Sequence, residues 1–360
     1  MEEELKKLIS SVKPLDKDAM REAEKIQLTL AKPPGSLGKL EDISVRLAGI
    51  TGKVHNEVKD QHILVFAADN GVLEEGVACA PQSVTLMQTV NLTRAKTGAS
   101  VLAKYFGCRL TVCDVGVNAD IKDRAVIDRK IARGTKNIAA GPAMAREQAV
   151  RAIMTGAELL MESGAQIFGI GEMGIGNTTT SSAVLSVLLS ENVEKVTGRG
   201  GGLTDEGFRR KKEVIRRAIE VNRPDKNDAL DVIAKVGGFD IAAMCGAFIG
   251  AAASRRPVVI DGFISAVAAL CAVRLCPLAG EYMFPSHASC ETGCRLAMEA
   301  LGLEPMLLLN MRLGEGSGCP LAFKMIEAAC AVINNMASFA GAGIDDEYLD
   351  KIRQGDNFSA

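Results

Sequence analysis

Apolar positions at the start of the chain recur with helical spacing: Leu5, Leu8 and Ile9, then Met20, Ala23, Ile26 and Leu28. The stretch Lys32-Pro33-Pro34-Gly35-Ser36-Leu37-Gly38 breaks that pattern, since prolines end a helix and glycines shape a loop. A helix resumes over residues 40–47. Short apolar runs then alternate with longer helical stretches. The runs at 62–68, 109–112, 166–170, 257–260 and 306–309 are rich in β-formers, and a polar or glycine-rich segment follows each one. These segments are Asp69-Asn70-Gly71, Asp114-Val115-Gly116, Gly171-Glu172, Asp261-Gly262 and a loop holding Glu315. Buried parallel strands read this way. Helices expected over 85–105, 143–163, 178–190, 206–221, 239–253 and 264–273 supply the crossovers. The pattern therefore predicts an α/β fold with a Rossmann-like parallel sheet flanked by helices. The tail, 321–339, is again helical. Residues 1–48 together with 320–360 are expected to form a small helical subdomain beside a large α/β domain, 49–319.

In such sheets ligands sit beyond the carboxyl ends of the strands, and the chemically suggestive loops all fall there. Met311-Arg312-Leu313-Gly314-Glu315-Gly316-Ser317-Gly318 sets one carboxylate between glycines. Glycines let backbone approach a ligand closely, and a carboxylate in a dry setting is a usable base. Gly171-Glu172-Met173-Gly174-Ile175-Gly176-Asn177-Thr178-Thr179 reads as strand, turn and helix start, a place where backbone N–H groups bind phosphate. Gly198-Arg199-Gly200-Gly201-Gly202 reads as an anion nest or as a flexible linker. Lys211, one or two helix turns later, could supply the counter-charge for that nest. Its place in the basic run 209–212 fits a solvated lysine slightly better. Ala80-Pro81-Gln82-Ser83 looks like a covering loop that enters a helix, with Gln88 one turn on. Pro285-Ser286-His287-Ala288-Ser289 is a further polar loop, in which His287 reads as a structural hydrogen-bonder.

Several function classes lose support. The chain has 360 residues, 48% hydrophobic and 24% charged, which is ordinary globular composition for one large or two unequal domains. A net charge of −2 argues against a nucleic-acid surface. No apolar run reaches membrane-spanning length, and Met1-Glu2-Glu3-Glu4-Leu5-Lys6-Lys7 lacks a signal-peptide core, so a cytoplasmic location is the expectation. The ten cysteines contain no Cys-x-x-Cys pair, and there are only three histidines. Cys290 and Cys294 lie near His287, but buried thiols are the simpler reading, and no metal is expected. There is no Walker A lysine and no Gly-x-Ser-x-Gly elbow. Paired acids followed by Thr-Gly-Gly-Thr are also absent, and Asp114 and Asp261 stand alone in sequence.

Taken together, these motifs resemble one family. The combination Gly-Glu-Met-Gly-Ile-Gly-Asn-Thr-Thr with Arg-Leu-Gly-Glu-Gly-Ser-Gly is similar to the nicotinate-nucleotide–dimethylbenzimidazole phosphoribosyltransferases. The likeness runs almost end to end, through 32–42, 68–93, 235–250, 259–269 and 285–289 as well. The resemblance implies transfer of ribose 5-phosphate from nicotinate mononucleotide to a benzimidazole nitrogen, with inversion from β to α at the anomeric carbon, for assembly of the cobalamin lower ligand. It implies Glu315 as the general base, with Glu172 and Lys211 as further charged active-site positions. Gly174, Ile175, Gly176, Asn177, Thr178, Gly200, Gly202 and Ser289 would hold the ribose phosphate. Pro81, Gln88, Met173 and Leu313 would line the base pocket. No cofactor, nucleic acid or membrane partner is implied, and a homodimer is. Ala80 stands where known members carry a small hydroxyl residue. The family's paralogues take other lower-ligand bases, which leaves the acceptor open, and a non-catalytic nucleotide-binding subunit is the alternative.

Overall fold

The structure is a computed structural model and describes residues 1–349. In chain order the helices and strands are α1 (Glu2–Ser11), α2 (Lys17–Thr29), α3 (Lys39–Thr51), β1 (Gln61–Ala68), α4 (Ser83–Thr93), α5 (Gly98–Phe106), β2 (Arg109–Gly116), β3 (Val126–Asp128), α6 (Arg146–Ser163), β4 (Ile167–Met173) and α7 (Asn177–Leu189). They continue with α8 (Val193–Val196), α9 (Asp205–Asn222), α10 (Ala229–Val236), α11 (Phe239–Ala253), β5 (Val258–Ile260), α12 (Phe263–Leu275), β6 (Met283–Pro285), α13 (Thr292–Leu301), α14 (Cys319–Asn335) and α15 (Phe339–Ala342).

The six strands form one sheet in the order β3-β2-β1-β4-β5-β6, and every neighbouring pair is parallel. This is the doubly wound arrangement, with its order reversing between β1 and β4. All eight residues of β1 and all seven of β4 are buried, as strands covered on both faces must be. Apart from Asp240 in its first turn, helix α11 is apolar all round, and it is buried along nearly its whole length. It lies so close to α6 that a methyl group at Gly156 would collide with the Ala243 carbonyl oxygen, and one at Gly246 with that of Ile153. Backbone contact of this kind needs a residue without a side chain on each helix. Each large apolar side chain of α11, such as Phe239, Ile241 or Phe248, contributes about 1.5–3 kcal/mol by burial.

Several expectations need correction. Residues 306–309 do not form a strand. Only Leu307 makes a bridge, to His287, while Leu308 and Leu309 are 86% and 50% exposed. An apolar run with no second partner strand has no ladder to join. The single helix expected over 85–105 is two, because Thr97 and Ser100 form a capping box that starts α5 afresh. Strands β3 and β6, three residues each, are too short to show a period. Helices α8, α10 and α13 fall in stretches for which no helix is expected.

The chain divides into two compact units, Met1–Lys13 with Asp60–Ala322, and Pro14–Lys59 with Phe323–Ala360. The sequence pattern places all of residues 1–48 with the tail. In the structure α1 belongs to the sheet unit, where Leu5 is buried and the Tyr282 hydroxyl donates to the Lys13 carbonyl at 2.7 Å. Residues 49–59 go with the smaller unit. That unit has its own core of Ala23, Ala48 and Ile333, with Ala19, Ile26, Val45 and Val54 packed on it.

Candidate active site

The strand ends on either side of the order reversal deliver the polar groups. Asp69 and Asn70 follow β1, Glu172 and Met173 close β4, and Asp261 follows β5. A cavity of about 190 Å³ opens there. Its lining includes Glu172, Met173, Gly174, Ile175, Gly176, Asn177 and Thr178 from the end of β4 and the start of α7, and Gly200, Ser289 and Leu313 from three further loops. Ten of the expected site residues are therefore brought together.

Glu172 is buried and carries two hydrogen bonds, from Asn177 Nδ2 to Oε2 and from the Glu315 backbone N–H to Oε1 at 3.2 Å. Burial pushes its carboxyl up to about 8, against the hydrogen bond from Asn177, and the like charges of Asp240 and Asp261 add to the rise. Glu172 therefore holds a proton at neutral pH and can donate into the cavity. Asp261 is also buried and raised to about 7, chiefly by burial. Its two oxygens accept from the Gly316 and Gly318 N–H groups at 3.0 and 2.7 Å, which pins the glycine loop. Isolated in sequence, Asp261 becomes a wall of the site only because the loop folds back onto the end of β5.

That loop lies directly on β4. A side chain at Gly171 would meet the Glu315 and Gly316 backbone at 2.6 Å, and one at Gly314 would run into Glu172 Oε1. Glu315 itself has φ +63°, a left-handed conformation that costs a non-glycine residue about 1–3 kcal/mol. It is 3% exposed, and its Oε2 accepts from the Ala99 N–H at 3.1 Å. The start of α5 suits an anion. Glu315 does not line the cavity. It lies behind Leu313 and Gly314, with one carboxylate oxygen anchored on α5.

Lys211 is not solvated but 0% exposed, and Nζ donates to Thr178 Oγ1 at 2.8 Å. Burial lowers it to about 8, with the Glu291 carboxylate acting the other way. Gly200 lies against the same pair: a Cβ there would be 2.9 Å from Thr178 Oγ1 and 3.5 Å from Lys211 Nζ. The lysine thus underlies the floor where the two glycine loops meet.

The remaining expected residues lie elsewhere. Gly202 is exposed and stands off the lining, because Gly200, Gly201 and Leu203 take that edge. Pro81 borders a separate depression with Asp69, Asn70 and Thr135, since Ala78, Cys79 and Ala80 form the cavity wall in its place. Gln88 is half-buried on α4 and accepts from Asn91 at 2.9 Å. His287 lines the cavity, held by Ser286 Oγ at 2.9 Å and kept neutral by burial. Asp240, which no motif flagged, is fully buried behind Asn177, its Oδ2 accepting from Asn177 Nδ2 at 3.1 Å. Among the described residues no group of three or more His, Cys, Asp or Glu gathers as a metal site.

A family model described as Phosphoribosyltransferase (DBI_PRT) matches residues 12–344. Nicotinate-nucleotide–dimethylbenzimidazole phosphoribosyltransferase of Clostridium tetani is 49% identical over 97% of this chain and 98% of its own. The protein of the same name from Ruminiclostridium cellulolyticum is 52% identical over 94% and 97%. The crystal structure of the Thermus thermophilus protein of that name superposes with a TM-score of 0.87 at 37% identity, covering 92% of this chain and 99% of that one. With fold and near full-length similarity in agreement, the chain belongs to the nicotinate-nucleotide–dimethylbenzimidazole phosphoribosyltransferase family.

Proposed function

We propose that this chain transfers ribose 5-phosphate from nicotinate mononucleotide to a nitrogen of 5,6-dimethylbenzimidazole or a related lower-ligand base, releasing nicotinate and α-ribazole 5′-phosphate. The observation that carries this reading is the meeting, at the β1/β4 order reversal, of the Gly174–Thr178 helix start, the buried Lys211 and the Glu172–Glu315 pair. The phosphate sits on the helix start, which offers N–H groups and a favourable dipole. Lys211, through Thr178, supplies the nearby positive charge. The donor's ring nitrogen is already cationic, so nicotinate departs without further activation of the leaving group. The incoming benzimidazole must lose its N–H proton as the new bond forms, and Glu315 accepts that proton. Its Oε2 is anchored on the Ala99 N–H, and its other oxygen takes the proton once Leu313 and Gly314, which line the cavity in front of it, give way to the bound base. Glu172, carrying its own proton, donates a hydrogen bond to the ribose. Met173 and Leu313 bound the apolar part of the acceptor site. A homodimer in the cytoplasm completes the reading.

The direct test is nicotinate release from nicotinate mononucleotide with 5,6-dimethylbenzimidazole present. Glu315→Gln should keep nucleotide binding and lose ~10²–10⁴-fold in turnover, the usual worth of general-base assistance. Undiminished turnover would remove Glu315 from the chemistry. Absence of nicotinate release with every base tried would remove the transferase reading itself.

A further inference from the structure

The start of α7 is tied to the start of α11 by one side chain. Asn177 Nδ2 donates to Glu172 Oε2 and to Asp240 Oδ2, the latter at 3.1 Å. An amide nitrogen carries two hydrogens, and here both go to carboxyl oxygens. Asp240 is the second residue of α11, 0% exposed, and its Oδ1 accepts from the Ile241 N–H at 3.0 Å. It does not line the cavity. Two glycines close around it: a Cβ at Gly174 would be 2.9 Å from Oδ2, and one at Gly238 would run into Oδ1. Burying a carboxyl costs several kcal/mol unless it is well paired. Asn70, just after β1, lies beside it. Its link towards Glu172 runs through Asn177.

We infer that Asp240 is a positioning residue for the transfer: through Asn177 it fixes Glu172 in the cavity wall. This rests on the transferase reading above and adds a residue to it. The groups facing Glu172 are Asp240 from α11, Asp261 from the end of β5 and the Glu315 backbone from the glycine loop. Arg199 and Arg312 line the same cavity, and Lys211 stands behind Thr178. Burial raises both carboxyls, Asp240 to about 6 and Glu172 to about 8, and the charge of Asp240 acts on Glu172 in the same upward direction. Burial is the chief reason the proton stays on Glu172, and a negative charge one amide away adds to it.

The test follows the Glu172 proton directly. The carboxylic-acid C=O stretch that is missing from Glu172→Gln is followed by infrared difference spectroscopy against pH. In Asp240→Asn the side-chain oxygen can still accept from Asn177 but the charge is gone, so the midpoint should fall by about one pH unit or more. In Asn177→Ser the Glu172 carboxylate loses a donor, so the midpoint should rise. Two variants in contact with each other thus shift one group in opposite directions, which a general loosening of the site would not produce. In turnover, Asp240→Asn should lower kcat more than it raises KM, and its alkaline limb should move with the infrared midpoint. An unchanged midpoint in Asp240→Asn, or a fall in kcat with no shift of that limb, overturns the inference. So does the absence of the stretch from wild type at neutral pH. Should Asp240→Asn not fold, a midpoint in Asn177→Ser that is unchanged or lower overturns it as well. Wild-type protein that releases no nicotinate would instead defeat the transferase reading, and the infrared midpoints would still decide this one.

Discussion

Two buried lysines, one in each unit, do opposite jobs. In the smaller unit Lys32 closes the proline-glycine loop by an ion pair with Glu41 at 2.8 Å, and Glu41 also accepts from the Leu37 N–H at 2.9 Å. In the sheet unit Lys211 is more deeply buried, yet its hydrogen-bonding partner is a neutral hydroxyl, Thr178 Oγ1. A buried cation with a carboxylate against it is satisfied by the fold. A buried cation facing a hydroxyl at the edge of an anion cradle is satisfied by a ligand. The first belongs to stability and the second to binding, although in sequence each is a lysine near a glycine-rich stretch.

That contrast can be broken in order of expected effect. Lys32→Met should cost about 3 kcal/mol of stability, because Glu41 is left without its counter-charge in a dry pocket. Denaturant unfolding measures this, and a loss below about 1 kcal/mol would make the pair an ordinary surface bridge. Lys211→Met should do the reverse. Stability should hold or rise, while affinity for nicotinate mononucleotide falls roughly 30-fold, or about 2 kcal/mol, the worth of one charged hydrogen bond. Calorimetric titration reads the binding, and equal affinity in the variant would detach Lys211 from the phosphate.

The pH dependence sharpens the same point. Lys211 is lowered from 10.5 to about 8, so in the window between those values the unfolded chain holds a proton that the native state has lost. The Lys211 contribution to stability therefore increases as pH rises through that window, and anion affinity decreases over the same range. Glu172 is raised from 4.5 to about 8, so its contribution to stability is present below 4.5 and is lost as pH rises towards 8. The stability gap between wild type and Lys211→Met should stay constant below about 8 and change only between there and 10.5, which unfolding midpoints across the range will read. The smallest expected effect belongs to Thr178→Val, which removes the hydroxyl between lysine and ligand and should weaken nucleotide binding about 5-fold, by ~1 kcal/mol.

The placement of the site carboxyls shows what kind of information each needed. Glu172 and Glu315 were legible because glycines surround them, and a charged residue in a glycine-rich turn has no local reason to be there. Asp261 and Asp240 were not legible. Asp261 follows an ordinary strand, and Asp240 opens a helix, where an acidic residue is routine. Lys211 is hidden in the same way, since its sequence neighbours are charged and solvent-facing. Leu308 and Leu309 failed in the other direction: their apolar character suggested a strand, and no strand lies there to pair with them.

Local patterning was enough to establish the alternation of strands and helices, the parallel sheet and the glycine loops at strand ends. These depend on residues near one another in the chain, through side-chain periodicity, turn chemistry and the covering of both sheet faces. The order of the strands, the division that gives α1 to the sheet unit, the burial of Lys211 and the carboxyl cluster joined by Asn177 were decided only by tertiary structure. They depend on which distant segments exclude water from one another. Removal of water is what shifts a proton on Glu172 or Lys211, and no single stretch of sequence specifies it.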